Sequence, residues 1–211
     1  MPRLPRSLFL LAALALALPT TASAQLILSE YIEGSGFNKA IEIYNTTAGP
    51  VNLGDYMLRL YSNGAAAPTA SVALFGPLAS GAVYVVANPT AAAGILGVAN
   101  LTSGTVINYN GDDAFELYHV PSATSVDVIG QIGVDPGVEW VGGGVSTLNR
   151  TLRRKVSVCS GDANGGDVFD PSLQWNGFAI DVIDGLGTHD AQCHVVPTRS
   201  STWGRVKAFY H

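Results

Sequence analysis

Acidic side chains on a glycine-rich segment are the first residues whose types and spacing suggest chemistry. The segment 161–167 reads GDANGGD, so Asp162, Asn164 and Asp167 lie close together, and Asp170 follows. Oxygen ligands on such a loop suit calcium, which takes about six to eight oxygens in proteins. Because the complete EF-hand loop with its terminal glutamate is missing, the pattern favours a polar surface turn. Calcium binding by the Asp162–Asp170 loop is the alternative.

A second pair of carboxylates, Asp112-Asp113, follows Asn110-Gly111. Paired carboxylates can serve acid–base or metal chemistry. Beside an Asn-Gly turn, however, aspartate side chains more commonly accept hydrogen bonds from backbone N–H groups. No histidine or serine stands beside the pair to complete a catalytic set, so we predict a structural role.

One basic cluster occurs in the body of the chain, formed by Arg150, Arg153, Arg154 and Lys155. On a strand, Arg153 and Lys155 would share one face and Arg154 would take the other. The cluster could contact a phosphate or an acidic glycan, or it could neutralise acidic neighbours. The segment 25–194 holds six of the 11 basic residues and all 16 acidic ones, a net charge of −10. This balance favours neutralisation and disfavours nucleic-acid binding.

Familiar catalytic motifs are missing from the sequence. It contains no GxSxG, P-loop or HExxH pattern, and its four histidines are dispersed without metal-ligand spacing. We therefore predict no catalytic residue, no metal ligand and no cofactor.

The elements that would carry these residues are strands. Short β-rich runs recur between turn signals such as Asn63-Gly64 and Asp135-Pro136-Gly137. The one helical candidate is Thr90 to Leu96. Many short strands with frequent turns predict an all-β, antiparallel sandwich or barrel. The predicted strands are Leu26 to Ile32, Ala40 to Tyr44, Met57 to Tyr61, Val83 to Val86, Ala114 to Tyr118 and Val126 to Ile129.

The first 24 residues have the three parts of a signal peptide. Arg3 and Arg6 precede an apolar run from Leu8 to Leu18, and Ala22-Ser23-Ala24 is a small-residue cleavage site. The apolar run is too short to span a bilayer, and no other stretch approaches the about 20 apolar residues that a transmembrane helix needs. We predict a mature chain without a transmembrane segment, secreted to the extracellular medium or the periplasm.

The rest of the chain divides into a body, 25–194, and a short tail, 195–211. The tail reads VVPTRSSTWGRVKAFYH. Chain ends are commonly loose, which favours a loose terminus. A packed last strand, or a docking or sorting role for the aromatic residues, are the alternatives.

The chain has two cysteines, Cys159 and Cys193. An even count in an exported protein favours a disulfide, so we predict a Cys159–Cys193 bond. Closing a loop of this length stabilises a fold by about 3–4 kcal/mol if the effect comes from chain entropy.

Several ordered segments together resemble the lamin-tail domain as it occurs in secreted bacterial proteins. The most specific are LSEYIEGS at 28–35 and NKAIEIYN at 38–45, and the similarity extends over nearly all of 26–190. Further matching segments are VNLGDY at 51–56, YSNG at 61–64, NGDDAFEL at 110–117, VDVIG at 126–130, TLRRK at 151–155, FDP at 169–171 with Trp175, and LGTH at 186–189.

The resemblance implies an immunoglobulin-like β-sandwich without an active site. In exported bacterial proteins such domains accompany nucleases or phosphatases and assist binding or surface placement. The resemblance also implies that Ile41, Ile43 and Leu117 fill the core, while Glu42 and the Asp112-Asp113 turn accept backbone hydrogen bonds.

We therefore predict a secreted, monomeric, non-catalytic binding module. Exposed loops at one end of the sandwich would bind an unidentified protein or glycan at the cell surface. One alternative is a metal-dependent phosphoesterase or nuclease that uses Asp112, Asp113 or the Asp162–Asp170 loop. Another is a nucleic-acid-binding accessory module that uses the 150–155 cluster and the basic tail.

Overall fold

Strands form where the sequence runs through apolar residues or alternates them with polar ones. The computed structural model describes residues 26–192, and within this range it contains fourteen strands. All six predicted strands are present, with ends that differ by at most two residues. The strands are β1 (Leu26–Glu33), β2 (Lys39–Asn45), β3 (Val51–Asn52), β4 (Tyr56–Tyr61), β5 (Ala70–Ala73), β6 (Pro77–Leu78), β7 (Val83–Ala87), β8 (Leu101–Thr102), β9 (Ala114–His119), β10 (Thr124–Ile129), β11 (Val141–Gly142), β12 (Val145–Ser146), β13 (Thr151–Arg154) and β14 (Trp175–Phe178).

Short helices interrupt the strands at three places in the described range. They are α1 (Ala93–Leu96), α2 (Pro171–Gln174) and a 3-10 turn at Leu53–Asp55. α1 lies within the predicted segment Thr90 to Leu96, but the expectation of one helical segment is wrong because α2 was not predicted. Pro171 occupies the first turn of α2, and the side chain of Asp170 accepts a hydrogen bond from Ser172 N at 2.9 Å. Both features favour a helix start.

Two larger sheets carry the architecture. One has six strands in the order β14-β13-β1-β2-β7-β8, and the other has four in the order β10-β9-β4-β5. Two small sheets pair β11 with β12 and β3 with β6. Neighbouring strands are antiparallel except for β7 and β8, which are parallel. The predicted all-β, antiparallel sandwich is therefore confirmed, with one parallel pair at an edge.

The main core lies between these two sheets. Ile41 and Ile43 of β2 belong to it together with Leu117 of β9, and all three are fully buried, as predicted. Tyr31 of β1 and Phe115 of β9 come from different sheets and pack together with Tyr109, with ring centroids 5.1 and 4.7 Å from the Tyr109 ring. Burying side chains of this size stabilises a fold by about 1.5–3 kcal/mol each.

The six-stranded sheet is covered on its other face as well. A second cluster joins Ile32, Val85 and Ala87 of this sheet to Ile95 of α1 and to Leu186. Strands β1 and β2 are consequently buried along their whole length. Polar residues on their outer face therefore require partners inside the protein.

The predicted signal peptide, residues 1–24, and the predicted tail, residues 195–211, lie outside the described residues, as does Cys193. The Cys159–Cys193 bond therefore stays a prediction. Between residues 26 and 192, no helix is long and apolar enough to cross a membrane.

Candidate functional site

A surface cavity of about 510 Å³ lies where the loop 161–170 meets α2 and β10. It gathers acidic and apolar side chains from a short stretch of sequence. Its lining residues are Val128, Gly161, Asp162, Ala163, Asn164, Asp167, Val168, Phe169, Asp170, Leu173 and Gln174.

Side-chain turns give the cavity loop its shape. The carboxylate of Asp162 accepts a hydrogen bond from Asn164 N at 3.0 Å, and the Asn164 side chain accepts one from Gly166 N at 3.4 Å. Asp170 begins α2 by accepting hydrogen bonds from the N–H and hydroxyl of Ser172, at 2.9 and 2.7 Å. The predicted polar surface turn at 161–170 is present, and its acidic side chains share the cavity.

A buried ion pair fastens this loop to the sheets. Arg154 of β13 donates to the carboxylate of Asp127 in β10, and both side chains are almost completely buried. The same carboxylate accepts hydrogen bonds from Leu28 N and from Asp162 N, each at 2.7 Å. Arg154 also donates to the side chain of Gln174, at the end of α2. One guanidinium therefore joins both sheets to the two walls of the cavity.

The electrostatic environment of the cavity is acidic. Partial burial raises the pKa of Asp162, and the negative charges of Asp167 and Asp127 act in the same direction against the hydrogen bond from Asn164 N. Within residues 26–192, no group of three or more histidine, cysteine, aspartate or glutamate side chains is arranged to hold a metal ion. The carboxylates of Asp162 and Asp170 instead accept hydrogen bonds from the loop backbone.

Large apolar side chains are exposed beside these carboxylates. Val168 is 84% exposed and Leu173 is 70% exposed, the two highest values among the exposed large hydrophobic residues of the described chain. The phenyl ring of Phe169, which also lines the cavity, packs edge-on against Trp140, with ring centroids 5.9 Å apart. We call the surface formed by Asp162, Asp167, Val168, Asp170 and Leu173 the cavity face.

The other acidic pair has a structural role, in part as predicted. The carboxylate of Asp113 accepts hydrogen bonds from Asn63 N at 2.9 Å and Asn110 N at 2.8 Å. Burial raises the pKa of Asp113, against the effect of these two bonds. One carboxylate oxygen of Asp112, in contrast, is buried without a hydrogen-bond partner.

Most side chains of the basic cluster 150–155 bind partners within the protein. Arg153 pairs with Glu30 and Asp184 on the outer face of the six-stranded sheet, opposite to Arg154. The ammonium of Lys155 donates to the carbonyl of Ser172 at 2.7 Å. The predicted neutralising role is therefore confirmed for the two central arginines. Arg154 is buried, which contradicts the alternative in which this arginine contacts a nucleic acid.

Sequence reasoning missed that two glutamates meet on the outer face of this sheet. Glu30 and Glu42 are direct neighbours in the β1–β2 register, and both are buried. Glu42 accepts hydrogen bonds from Ser29 Oγ and Gly187 N, each at 2.7 Å, as the resemblance implied. Because Glu42 alternates with Ile41 and Ile43, the sequence placed it on the face of the sheet opposite the main core. No local signal showed that residues 183–189 would cover that face.

More than half of the chain matches a known protein family. A model of the lamin tail domain matches residues 19–133, which is more than half of the chain. This chain belongs to the lamin-tail domain family. The family consists of non-catalytic, immunoglobulin-like β-sandwich domains, so the predicted fold class is confirmed. A search of curated proteins gave no match.

The lamin-tail domain match ends before the cavity loop begins. Residues 19–133 include β1 to β10 but none of the segment 161–174. Of the cavity's lining residues, Val128 alone falls inside the matched range. The match therefore accounts for the framework, whereas the cavity face has to be interpreted from its own geometry.

Proposed function

We propose that this lamin-tail domain is an exported, non-catalytic interaction module and that the cavity face is its binding surface. The observation that carries this proposal concerns Val168 and Leu173, the two most exposed large apolar side chains among residues 26–192, which lie beside three carboxylates at one cavity. Apolar surface next to a few polar groups in a concave site is the usual composition of a binding site. Contiguous apolar surface that is rimmed by polar residues is a frequent mark of an interaction surface.

Two further features support binding rather than catalysis. The lamin-tail family is non-catalytic, and Asp113 and Glu42, in the matched range, accept hydrogen bonds that stabilise the fold. The carboxylate of Asp127 is likewise occupied by Arg154 and by backbone N–H groups. Asp167, in contrast, is exposed at the cavity and is suited to recognise a partner by its charge.

The predicted signal peptide at 1–24 supports export to the periplasm or the extracellular medium. In either compartment the partner would be a protein or a glycan at the cell surface. The predicted Cys159–Cys193 disulfide fits an oxidising compartment. It would also hold the chain near Gly161, where the cavity lining begins.

An array of glycans and peptides tests this proposal with the labelled full chain and two double variants. The cavity variant is Asp167→Asn with Leu173→Ser, and the control is Asp135→Asn with Val120→Ser. Each pair replaces one exposed acid and one exposed aliphatic residue, and such changes rarely alter stability by more than about 0.5 kcal/mol. We expect ligands whose signal drops at least about tenfold in the cavity variant and persists in the control, a loss of about 1.4 kcal/mol. Equal signals from both variants would refute the assignment of the cavity face.

A further inference from the structure

We propose that the C-terminal segment of this chain, residues 195–211, docks on the cavity face and competes there with an outside partner. The docking stands on the geometry and charge of the cavity. The competition rests in addition on the proposed function. The described chain stops at residue 192, before this segment begins.

The described chain ends close to the cavity. Gln192 N donates a hydrogen bond to Val156 O at 2.8 Å. The residue before Val156, Lys155, donates through its ammonium to the carbonyls of Ser172 and Leu173, at 2.7 and 3.4 Å. Position 192 is therefore connected through two neighbouring residues to the helix that forms one wall of the cavity.

The length of the remaining chain is ample for this distance. A flexible segment of the length of 193–211 has a root-mean-square span of roughly 25 Å. The predicted bond between Cys159 and Cys193 would shorten the path further, because Cys159 lies two residues before Gly161. This span is sufficient for the proposed docking on the cavity face.

The charges of the two surfaces are complementary. Three aspartates line the cavity, and none of the described residues that line it is basic. The segment 195–211 contains Arg199, Arg205 and Lys207 and has no acidic residue. Opposite charges steer association and fix its register. The carboxylates of the cavity face therefore attract this basic segment, whereas they repel acidic segments of the chain.

The apolar parts are complementary as well. Val168 and Leu173 expose aliphatic surface at the cavity, and the segment contributes Trp203 and Phe209. The cavity volume of about 510 Å³ is within the range of small-ligand pockets, about 300–1,000 Å³. Because tryptophan is enriched among the residues that anchor interfaces, we assign Trp203 as the anchor, with Arg205 and Lys207 beside the aspartates.

Zero-length carbodiimide cross-linking of the full chain tests the docking directly. The reagent joins lysine amines to carboxylates that touch them, and Lys207 is the one lysine in the segment. We expect peptides in which Lys207 is linked to Asp162, Asp167 or Asp170, and a loss of these links in the Trp203→Ala variant. A mixture of light and heavy-isotope chains shows whether the link joins one chain or two. Links to other carboxylates only, no link from Lys207, or links between two chains would overturn docking within one molecule.

Amide hydrogen exchange gives a second measurement on the same variant. If Trp203 anchors the segment, amides in 161–174 exchange faster in Trp203→Ala than in the wild type, and amides in 120–124 do not change. Equal exchange rates at 161–174 would overturn the docking.

The competition is tested separately on the array. If the segment covers the cavity face about 90% of the time, its release raises the apparent affinity for an outside ligand about tenfold. We expect stronger array signals from Trp203→Ala for those ligands that the cavity variant loses. Unchanged signals together with the Lys207 cross-link would overturn the competition and leave the docking in place. Cavity-dependent array signals without the cross-link would leave the proposed function standing without the docking.

Discussion

The side chain of Arg154 contacts several of the elements that surround the cavity. Its guanidinium pairs with Asp127, donates through Nε to Leu28 O at 3.1 Å, and lies 4.3 Å from the centre of the Trp175 ring. The pair is buried, so each charge depends on the other for compensation. Removing one partner of such a pair leaves an uncompensated buried charge, which is far more costly than losing an exposed ion pair.

We predict that Arg154→Leu lowers the free energy of unfolding by about 3–5 kcal/mol. The matched control, Arg150→Leu, removes an exposed arginine four positions earlier and should change it by no more than about 0.5 kcal/mol. Urea denaturation of both variants measures the difference. Similar midpoints for the two variants would show that the buried pair contributes little to the fold.

The close approach of backbone to backbone at Gly161 is a second feature at the residue scale. A Cβ atom at this position would lie 2.4 Å from Val126 O and 2.5 Å from the Cβ of Asp127. Neither atom is the end of a flexible side chain, so the loop would have to move away from β10. A Cβ atom at Gly49, in contrast, would have no atom within 4 Å.

Gly161→Ala should therefore destabilise the protein by about 1–3 kcal/mol, the usual cost of overpacking. Gly49→Ala serves as the control and should leave stability unchanged within about 0.5 kcal/mol. Thermal unfolding of the two variants provides the measurement. If Gly161→Ala unfolds at the wild-type temperature, the loop is not held against β10 as described.

At the scale of the elements, the register of β1 and β2 creates the buried Glu30–Glu42 pair. A bulge between Leu28 and Glu30 allows Leu28 and Tyr31 to face the core on either side of the shift. Glu30 lies opposite Glu42 on the outer face, where the backbone around Gly185 packs against Arg153 and the Glu30 carboxylate. Burial raises the pKa of each carboxyl group from 4.5 to about 7. For Glu30, the charge of Arg153 opposes this rise and the charge of Glu42 adds to it.

These raised pKa values predict that stability falls as the pH rises from about 4.5 to above 7. The folded state binds more protons than the unfolded state in this window, so each rise in pH favours unfolding. We expect the double variant Glu30→Gln with Glu42→Gln to show a flatter dependence between pH 5 and pH 8. Urea unfolding at several pH values measures it, with Asp135→Asn as a control that retains the wild-type slope. An unchanged slope in the double variant would contradict the assignment to this pair.

The elements differ in how far their sequences could predict them. β2 and β9 were predictable because apolar and polar residues alternate within each strand, which is a signal that does not depend on its neighbours in the sheet. β13, with the sequence TLRR, has one large apolar residue and becomes a strand by pairing between β1 and β14. α2 has a start signal in Asp170-Pro171 but, at one turn, is too short to show helical periodicity.

The candidate site was predictable in composition but not in shape. The acidic loop 161–170 was visible from its aspartates and glycines. Its cavity depends on Val128, on Phe169 held by Trp140, and on the Arg154–Asp127 pair, all of which require contacts between distant parts of the chain. Strand geometry alone predicts that the basic side chains of 150–155 divide between two faces. The burial of Arg154 depends on β10 and α2, which pack over it and are distant in sequence.

At the scale of the whole molecule, the acidic body opposes contact with nucleic acids. The segment 25–194 has a net charge of −10, and its central arginines are engaged in ion pairs. A surface of this charge repels phosphate backbones at physiological salt. Under the proposed function, affinity for a partner comes from the cavity face rather than from a basic patch.

We predict that the full chain neither cleaves nor retards single- or double-stranded DNA at physiological salt, with or without magnesium or calcium. One gel measures both outcomes. Cleavage that an Asp162→Asn or Asp112→Asn variant abolishes would contradict a non-catalytic module. Salt-sensitive retardation that is lost in Arg150→Ala with Lys155→Ala would support a nucleic-acid-binding accessory instead.

Amide hydrogen exchange of the Trp203→Ala chain, in which the C-terminal segment is not expected to cover the cavity face, tests the central claim most directly when the chain is saturated with the strongest array ligand. Because binding slows exchange where the ligand covers or orders the backbone, we predict protection in residues 161–174 and no change in the exposed turn 120–124. The Asp167→Asn, Leu173→Ser variant should show no protection at the same ligand concentration. Protection confined to other residues, with 161–174 unchanged, would contradict the assignment of the cavity face as the binding surface.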